Sequence, residues 1–451
     1  MLARAASCDV TPRDREVRLA GDMSRRTPAT GVLDPIEISA VLLECGRSRS
    51  LIFSLDLMIV GSELQQMIHA KLAGRGFSPS EVILLASHTH SAPATDRACE
   101  RLGVADPDVV TALAEAADNL VRRIQAQTPS DIDLVTFQGR LNHSINRRRY
   151  WPFPTYGRRY GLRLTGICFA PDPLGPTDER ITVVMLRHAK EKHVLGVMWH
   201  YACHPTAVVP DNMISADYPG VVRQALRQRF GEVPCIFIQG FGGDIRPNLP
   251  SSRKIGLWER LKRPFRLAIM GPEFESCLAE DWTLWSRSMA SAVCELAGSG
   301  PIRALIPTTV DTGSASIPLG AFFQGSTPDK ILTVQIVRIG DDLEIIALSA
   351  EACVGWEAIL DQAFPIAPGR IRLYAGYLGA LFGYLPTEAQ VPEGGYEVTG
   401  FQPLFGLSGQ FQADAIGPVI VGCVRDAFAD LERNKQQATI APAPSAGIQD
   451  A

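Results

Sequence analysis

Short apolar runs alternate with amphipathic stretches along most of the chain, and the two periodicities separate strands from helices. The runs "EISAVLLE" (37–44), "SLIFSLDLMIV" (50–60) and "SEVILLASHTH" (80–90) predict strands, whereas "SELQQMIHAKLAGRG" (62–76) carries apolar residues at helical spacing and closes on glycine. Residues 109–127 have a strongly amphipathic helical pattern. Strand-like segments follow at "DLVTFQGRLN", "GICFA", "ITVVMLRH" and "HVLGVMWHYACHP". A helix is expected at "YPGVVRQALRQRF" after Asp217, and "VPCIFIQGFGGDIRPN" reads as a buried strand entering a glycine turn. Residues 249–281 look irregular, 282–297 helical, and "LTVQIVRIGDDLEIIALSAEACVGW" is a hairpin followed by a helix. This rhythm predicts an α/β fold: a single large domain, 1–435, with a central mixed β-sheet flanked by helices. The Ala/Pro/Ser-rich stretch 436–451 is expected to be a disordered tail.

Composition changes this picture little. Hydrophobic residues at 46% against 20% charged are enough for a packed core. A net charge of −4 gives no global reason to expect nucleic acid as a partner. No run approaches the ~20 apolar residues of a transmembrane segment, and no secretory pattern precedes "DVTP", so the expected location is cytoplasmic. A homo-oligomer stays open. The ten cysteines are scattered without a CxxC pair, which reads as reduced thiols and leaves any metal to histidines and carboxylates.

Five of the eight histidines fall in two short segments, His88 and His90 in "ASHTHSAP" and His193, His200 and His204 in "HVLGVMWHYACHPT". Residues two apart in a strand face the same way, so His88 and His90 should project together from one strand end. An isolated HxH is more often a merely hydrogen-bonded pair. His204, before Pro205, stands where an apolar strand gives way to a loop, a common place for active-site groups in α/β sheets. His200 reads as a core residue and His193, in "KEKH", as exposed. Catalytic zinc sites combine a few such ligands with a position for water, so an acid is also required. Glu351 in "LSAEACVGW" ends an apolar strand, where its charge needs a partner. It reads equally as a carboxylate at the start of the following helix.

The segments "ASHTHSAPA", "INRRR", "TDERITVVMLR", "HPTAVVPDNMISADYPG", "FIQGFGGDIRPN", "LSAEACVGW" and "GYLPTEAQVPEGGYE" occur in an order and spacing that resemble the catalytic domain of the neutral/alkaline non-lysosomal ceramidases. The resemblance covers most of residues 1–430. It implies one catalytic zinc ion held by His88, His204, Glu351 and Tyr384, with His90 and Arg147 catalytic. It also places Gly243, Asp244 and Arg246 at the substrate-binding wall. On composition alone, Tyr384 would be a packed aromatic and Arg147 a surface charge. The implied activity is zinc-dependent hydrolysis of a linear amide C–N bond, with activated water attacking the N-acyl carbonyl of a small or lipid-like substrate, as in sphingolipid metabolism.

Arg246 stands where the family usually has serine, and with Arg147, Arg148, Arg149, Arg158 and Arg159 it points to a substrate more polar than ceramide. An esterase, or another carbonyl hydrolase using the same site, is an alternative. A non-catalytic ligand-binding homologue is another, against which the complete ligand set speaks. The stretch "LWERLKRPFRLAIM" is read as an amphipathic helix on the core in preference to a lipid-facing lip.

Overall fold

In the computed structural model, which describes residues 1–21, 25, 27–157, 161–163, 166–208, 212–252, 257–327 and 329–440, the apolar runs pair into two main sheets. The larger runs in spatial order Cys235–Gln239, Val194–Tyr201, Arg180–His188, Ser130–Arg140, Leu2–Asp9, Glu37–Cys45, Ser48–Leu55 and Val82–Ala86, with Arg303–Leu305 added beside Ser130–Arg140. Its pairs are antiparallel except at the two ends, where Val194–Tyr201 runs parallel to Cys235–Gln239 and Ser48–Leu55 parallel to Val82–Ala86. Ser54 Oγ donates to Phe237 O at 3.0 Å and accepts from Phe237 N at 3.2 Å, so the sheet curls until strands from its opposite halves meet. The second sheet orders Val310–Pro318, Ile331–Ile339, Leu343–Leu348 and Ile371–Ala375, the last pair parallel.

Period-two alternation sorts the core into layers. Val41, Leu43, Ile52 and Ile83 meet Val337 and Ile345 of the second sheet. Their neighbours Leu42, Leu51, Phe53 and Leu84 face Leu64, Ile68 and Leu113 of the helices Ser62–Ala73 and Pro107–Ala126. Burying each such side chain contributes roughly 1.5–3 kcal/mol. Further along, Val183 and Val197 pack on Val222 and Met289 of the helices Tyr218–Phe230 and Ala279–Ala297. The helix Ala413–Ile440 lies against Val310–Pro318, where a Cβ at Gly313 would stand 2.4 Å from Ala427 O, an approach only glycine permits. The result is a mixed α/β stack of helices, sheet, sheet and helix.

Several local expectations change. The strand of 80–90 stops at Ala86 and that of 50–60 at Leu55, because the following residues turn away to form site loops. Within the otherwise irregular stretch 249–281, the segment read as an amphipathic helix does form one, Leu257–Met270. It is amphipathic but does not pack on the core: Trp258, Leu261, Phe265 and Ile269, which share one side at helical spacing, are all exposed. Its cationic side is held instead, through Arg263 to Glu275 and Arg266 to Glu273. Residues 436–440 continue the last helix, and 441–451 lie outside the described residues, as do Arg158 and Arg159. Among the described residues no cysteine is in a disulfide, and no helix is long and apolar enough to cross a membrane.

Candidate metal centre

The ends of the parallel strands gather the chemistry. His88 follows Val82–Ala86, His204 follows Val194–Tyr201, Gly243 and Asp244 follow Cys235–Gln239, Glu351 follows Leu343–Leu348, and Tyr384 lies beyond Ile371–Ala375. Backbone contacts tie these loops together. Glu351 and Tyr384 face each other in a two-residue parallel pairing. His90 N donates to Pro205 O at 3.1 Å, which holds the first histidine segment beside the second. Gly243 N donates to Ala352 O at 2.8 Å, and a Cβ there would lie 2.4 Å from Glu351 O, so glycine is required for the approach.

The side chains converge on one point. His88 Nε2 lies 3.2 Å from His204 Nε2 and 3.2 Å from His90 Nε2. Glu351 Oε2 is 3.2 Å from both His88 Nε2 and His204 Nε2. Tyr384 Oη is 3.5 Å from His204 Nε2. All except the half-buried His90 are buried. His88 and His90 thus meet as expected, but not as successive strand positions: His88 has left-handed backbone, φ 66°. That conformation costs roughly 1–3 kcal/mol and aims the ring inward.

Hydrogen bonding fixes what these rings offer. His88 Nδ1 is 2.7 Å from Met58 O and His204 Nδ1 is 2.6 Å from Gly242 O, so each Nδ1 carries the proton and donates it. Two Nε2–H groups cannot face each other at 3.2 Å, and burial followed by the nearby Arg147 charge lowers His204 to about 3. Its Nε2 is therefore a lone pair at neutral pH. Burial opposes ionisation of Glu351, and its carboxyl falls well below the usual range only through positive charge at the His88 and His204 positions, a role that an added cation takes when both rings are neutral. Glu351 Oε2 has no hydrogen-bonding donor despite being buried. Lone pairs and an anion thus meet without a proton between them, a donor set of imidazoles, carboxylate and phenol that fits a divalent cation such as zinc. His188, Glu191 and His193 form a second grouping, but on a largely exposed turn.

Arg147 is not a surface charge: it is buried, Nε donates to Glu397 Oε1 at 2.8 Å, and its guanidinium lies 5.3 Å from the Tyr384 ring centre. Its Nη2 is buried without an acceptor. Arg148 is buried as well, with Nη1 donating to Glu397 Oε2 at 2.8 Å. Arg246 is half-buried on Phe274 and Phe169, 4.7 and 5.5 Å from the ring centres. Asp244 lies inside the wall. Its Oδ1 accepts from Val354 N at 2.8 Å, and its Oδ2 from Asn146 Nδ2 at 3.3 Å and Gln390 Nε2 at 3.0 Å, so it locks three site segments together. His200 is a core residue bonded to Tyr374 O at 2.9 Å. The helix after Glu351 begins only at Trp356, so Glu351 is no helix-terminal carboxylate.

Sequence reading missed Tyr377 and Glu397. Tyr377 also has left-handed backbone, φ 62°, and stacks on His88 with ring centres 4.0 Å apart. Nothing in its apolar surroundings, "LYAGYLG", marks it. Glu397 lies in the quoted segment "GYLPTEAQVPEGGYE" and could have been matched to the buried arginines as their counter-charge.

No protein-family model matches the sequence, and no curated protein is significantly similar to it. Among solved structures, the crystal structure of neutral ceramidase from Pseudomonas aeruginosa is similar with a TM-score of 0.72 and 17% identity, the match covering 96% of this chain and 74% of that one. A ceramidase complexed with C2 gives a TM-score of 0.71 and 16% identity, with 96% and 75% covered. At these identities the likeness is one of fold, and the chain has a neutral-ceramidase-like fold.

Proposed function

From a neutral-ceramidase-like fold whose loops gather imidazoles, a carboxylate and a phenol, we propose that this protein is a zinc-dependent hydrolase of linear N-acyl amides. In this reading His88, His204, Glu351 and Tyr384 hold one zinc ion, which supplies Lewis acidity to activate water and polarise the acyl carbonyl. The observation that carries the reading is the buried pair of Nε2 atoms 3.2 Å apart with Glu351 Oε2 3.2 Å from each, an arrangement completed by a cation.

The chain's own groups supply the rest. Arg147, fixed through Nε by Glu397 and with Nη2 lacking an acceptor, donates to the carbonyl oxygen as negative charge develops there. His90, half-buried beside the ligands, passes a proton to the departing amine. Gly243 and Asp244 keep the pocket wall and the Glu351 loop in register. Arg246 fits a substrate more polar than ceramide, and a cytoplasmic location accompanies that reading. One distance favours a variation: His90 Nε2 is as close to His88 Nε2 as His204 Nε2 is, which makes His90 an alternative fourth ligand and Tyr384 a hydrogen-bond donor.

The test is metal analysis of the purified protein together with turnover of matched N-acyl amides and esters, ceramide included, before and after chelation. One zinc per chain is expected, with amide hydrolysis lost on chelation and restored by zinc. Turnover of esters alone would make it an esterase. Neither metal nor turnover would leave a ligand-binding protein and end the hydrolase reading.

A further inference from the structure

Beside the His204 loop the chain walls a pocket of about 720 Å³ that the metal-centre reading does not use. It begins at Thr206, two residues past His204, and is lined by Arg149, Trp151 and Arg246, with Arg263 and Arg266 of the exposed helix on another side. Its charges do not cancel: four guanidinium groups stand against the two carboxylates of Glu273 and Glu275. Those two carboxylates are engaged at the rim by Arg266 and Arg263. Arg149 gives one N–H to Pro171 O at 3.2 Å and has no carboxylate partner among the described residues. The Arg246 side chain stacks on Phe274 and Phe169, and its guanidinium has neither a hydrogen bond nor an ion pair among the described residues.

Neutral donors in the same wall are also unmatched. Trp151 Nε1 and Thr206 Oγ1 are both buried without a partner. A buried donor left unpaired costs roughly 1–3 kcal/mol. What the wall lacks is an acceptor bearing negative charge. A guanidinium stacked on rings keeps its edge N–H groups free for a planar or tetrahedral oxyanion.

We propose that this pocket binds the anionic head group, carboxylate or phosphate, of the substrate, with Arg246 as its principal counter-charge and Trp151 and Thr206 as additional donors. The inference rests on the hydrolase reading for the bond that is cut, though not for the binding of the anion.

Binding is tested on the zinc-reconstituted full chain by calorimetry with non-cleavable ketomethylene analogues, in which CH2 replaces the amide N–H. Three hexanoyl ligands are compared: one ending in a carboxylate, one in a phosphate monoester and one in a neutral hydroxyl. At least one anion should bind roughly tenfold or more tightly than the neutral ligand. Arg246→Gln should remove that preference, and Arg246→Lys should keep part of it. The tighter anion assigns the head group. Equal affinity for all three ligands, or a preference unaltered by Arg246→Gln, overturns the proposal. If Arg246→Gln does not fold, Arg149→Gln should reduce the preference severalfold, and no reduction would overturn it. Hydrolysis of the corresponding amides is followed separately. Anion-selective binding without cleavage removes the hydrolase reading and keeps the pocket, whereas cleavage without anion preference does the reverse.

Discussion

Glu37 and Asp56 are buried much as Glu351 is, yet the surroundings of the two regions differ in kind. Arg223 Nη1 donates to Asp56 Oδ2 at 2.6 Å, Glu37 N donates to the same oxygen at 2.9 Å, and Arg227 grips Glu37 with Nη1 and Nη2 at 2.6 and 2.7 Å. Two guanidiniums answer two carboxylates. Around Glu351 the nearest groups are imidazole nitrogens whose protons point away, to Met58 O and Gly242 O. Charge taken out of water is tolerated where partners close the cluster. The Glu37 cluster is closed and belongs to the scaffold. The Glu351 cluster is open and fits an added ion.

The strongest way to break this comparison is to remove the open acid. Glu351→Ala should strip the metal and several kcal/mol of transition-state stabilisation, on the order of a thousandfold in kcat/KM. Elemental analysis and kinetics check both, and retention of metal and activity together would mean that the cluster is not a metal centre. Breaking the closed cluster should act on folding instead. Arg223→Met leaves Asp56 and Glu37 short of a counter-charge and should cost about 3–5 kcal/mol of unfolding free energy while zinc content is kept. A urea titration showing under about 1 kcal/mol of loss would mean that Arg223 does not close the network.

The smallest effect concerns Asp34, which accepts from Ser215 Oγ and from Ala216 N at 2.8 Å. Burial pushes its carboxyl up from 3.8 to about 6. The folded state thus favours the protonated form, and this contribution is present below about pH 4 and lost as pH rises through about 6. The wild type should therefore lose stability relative to Asp34→Asn between those values and run parallel to it above them. Denaturation midpoints across pH 3–8 read this, and a slope of opposite sign would mean that the carboxyl is not held protonated.

Much of the fold was legible because strand and helix periods are local. The run read at 37–44 is the strand Glu37–Cys45, and the helix expected after Asp217 spans Tyr218–Phe230 with Asp217 capping Tyr218 N. The histidines were legible as a cluster, since three of few in the chain fall where apolar strands end. Arg147, in a run of three arginines, and Tyr384, in an aromatic stretch, carried no local signal, and only the family resemblance picked them out. The helix Leu257–Met270 shows the limit from the other side: its spacing could reveal an apolar face but not that the face points to water.

By itself, then, the sequence determined which segments become strands and helices and which donor types stand at their ends, because both are written within a few neighbouring residues. Tertiary structure decided the register that sets Glu351 opposite Tyr384, the left-handed turn that aims His88, the stacking of Tyr377 on it, and the burial of Arg147 against Glu397. Those depend on contacts between residues up to hundreds of positions apart, whose strain and desolvation costs are offset only when the whole set packs together.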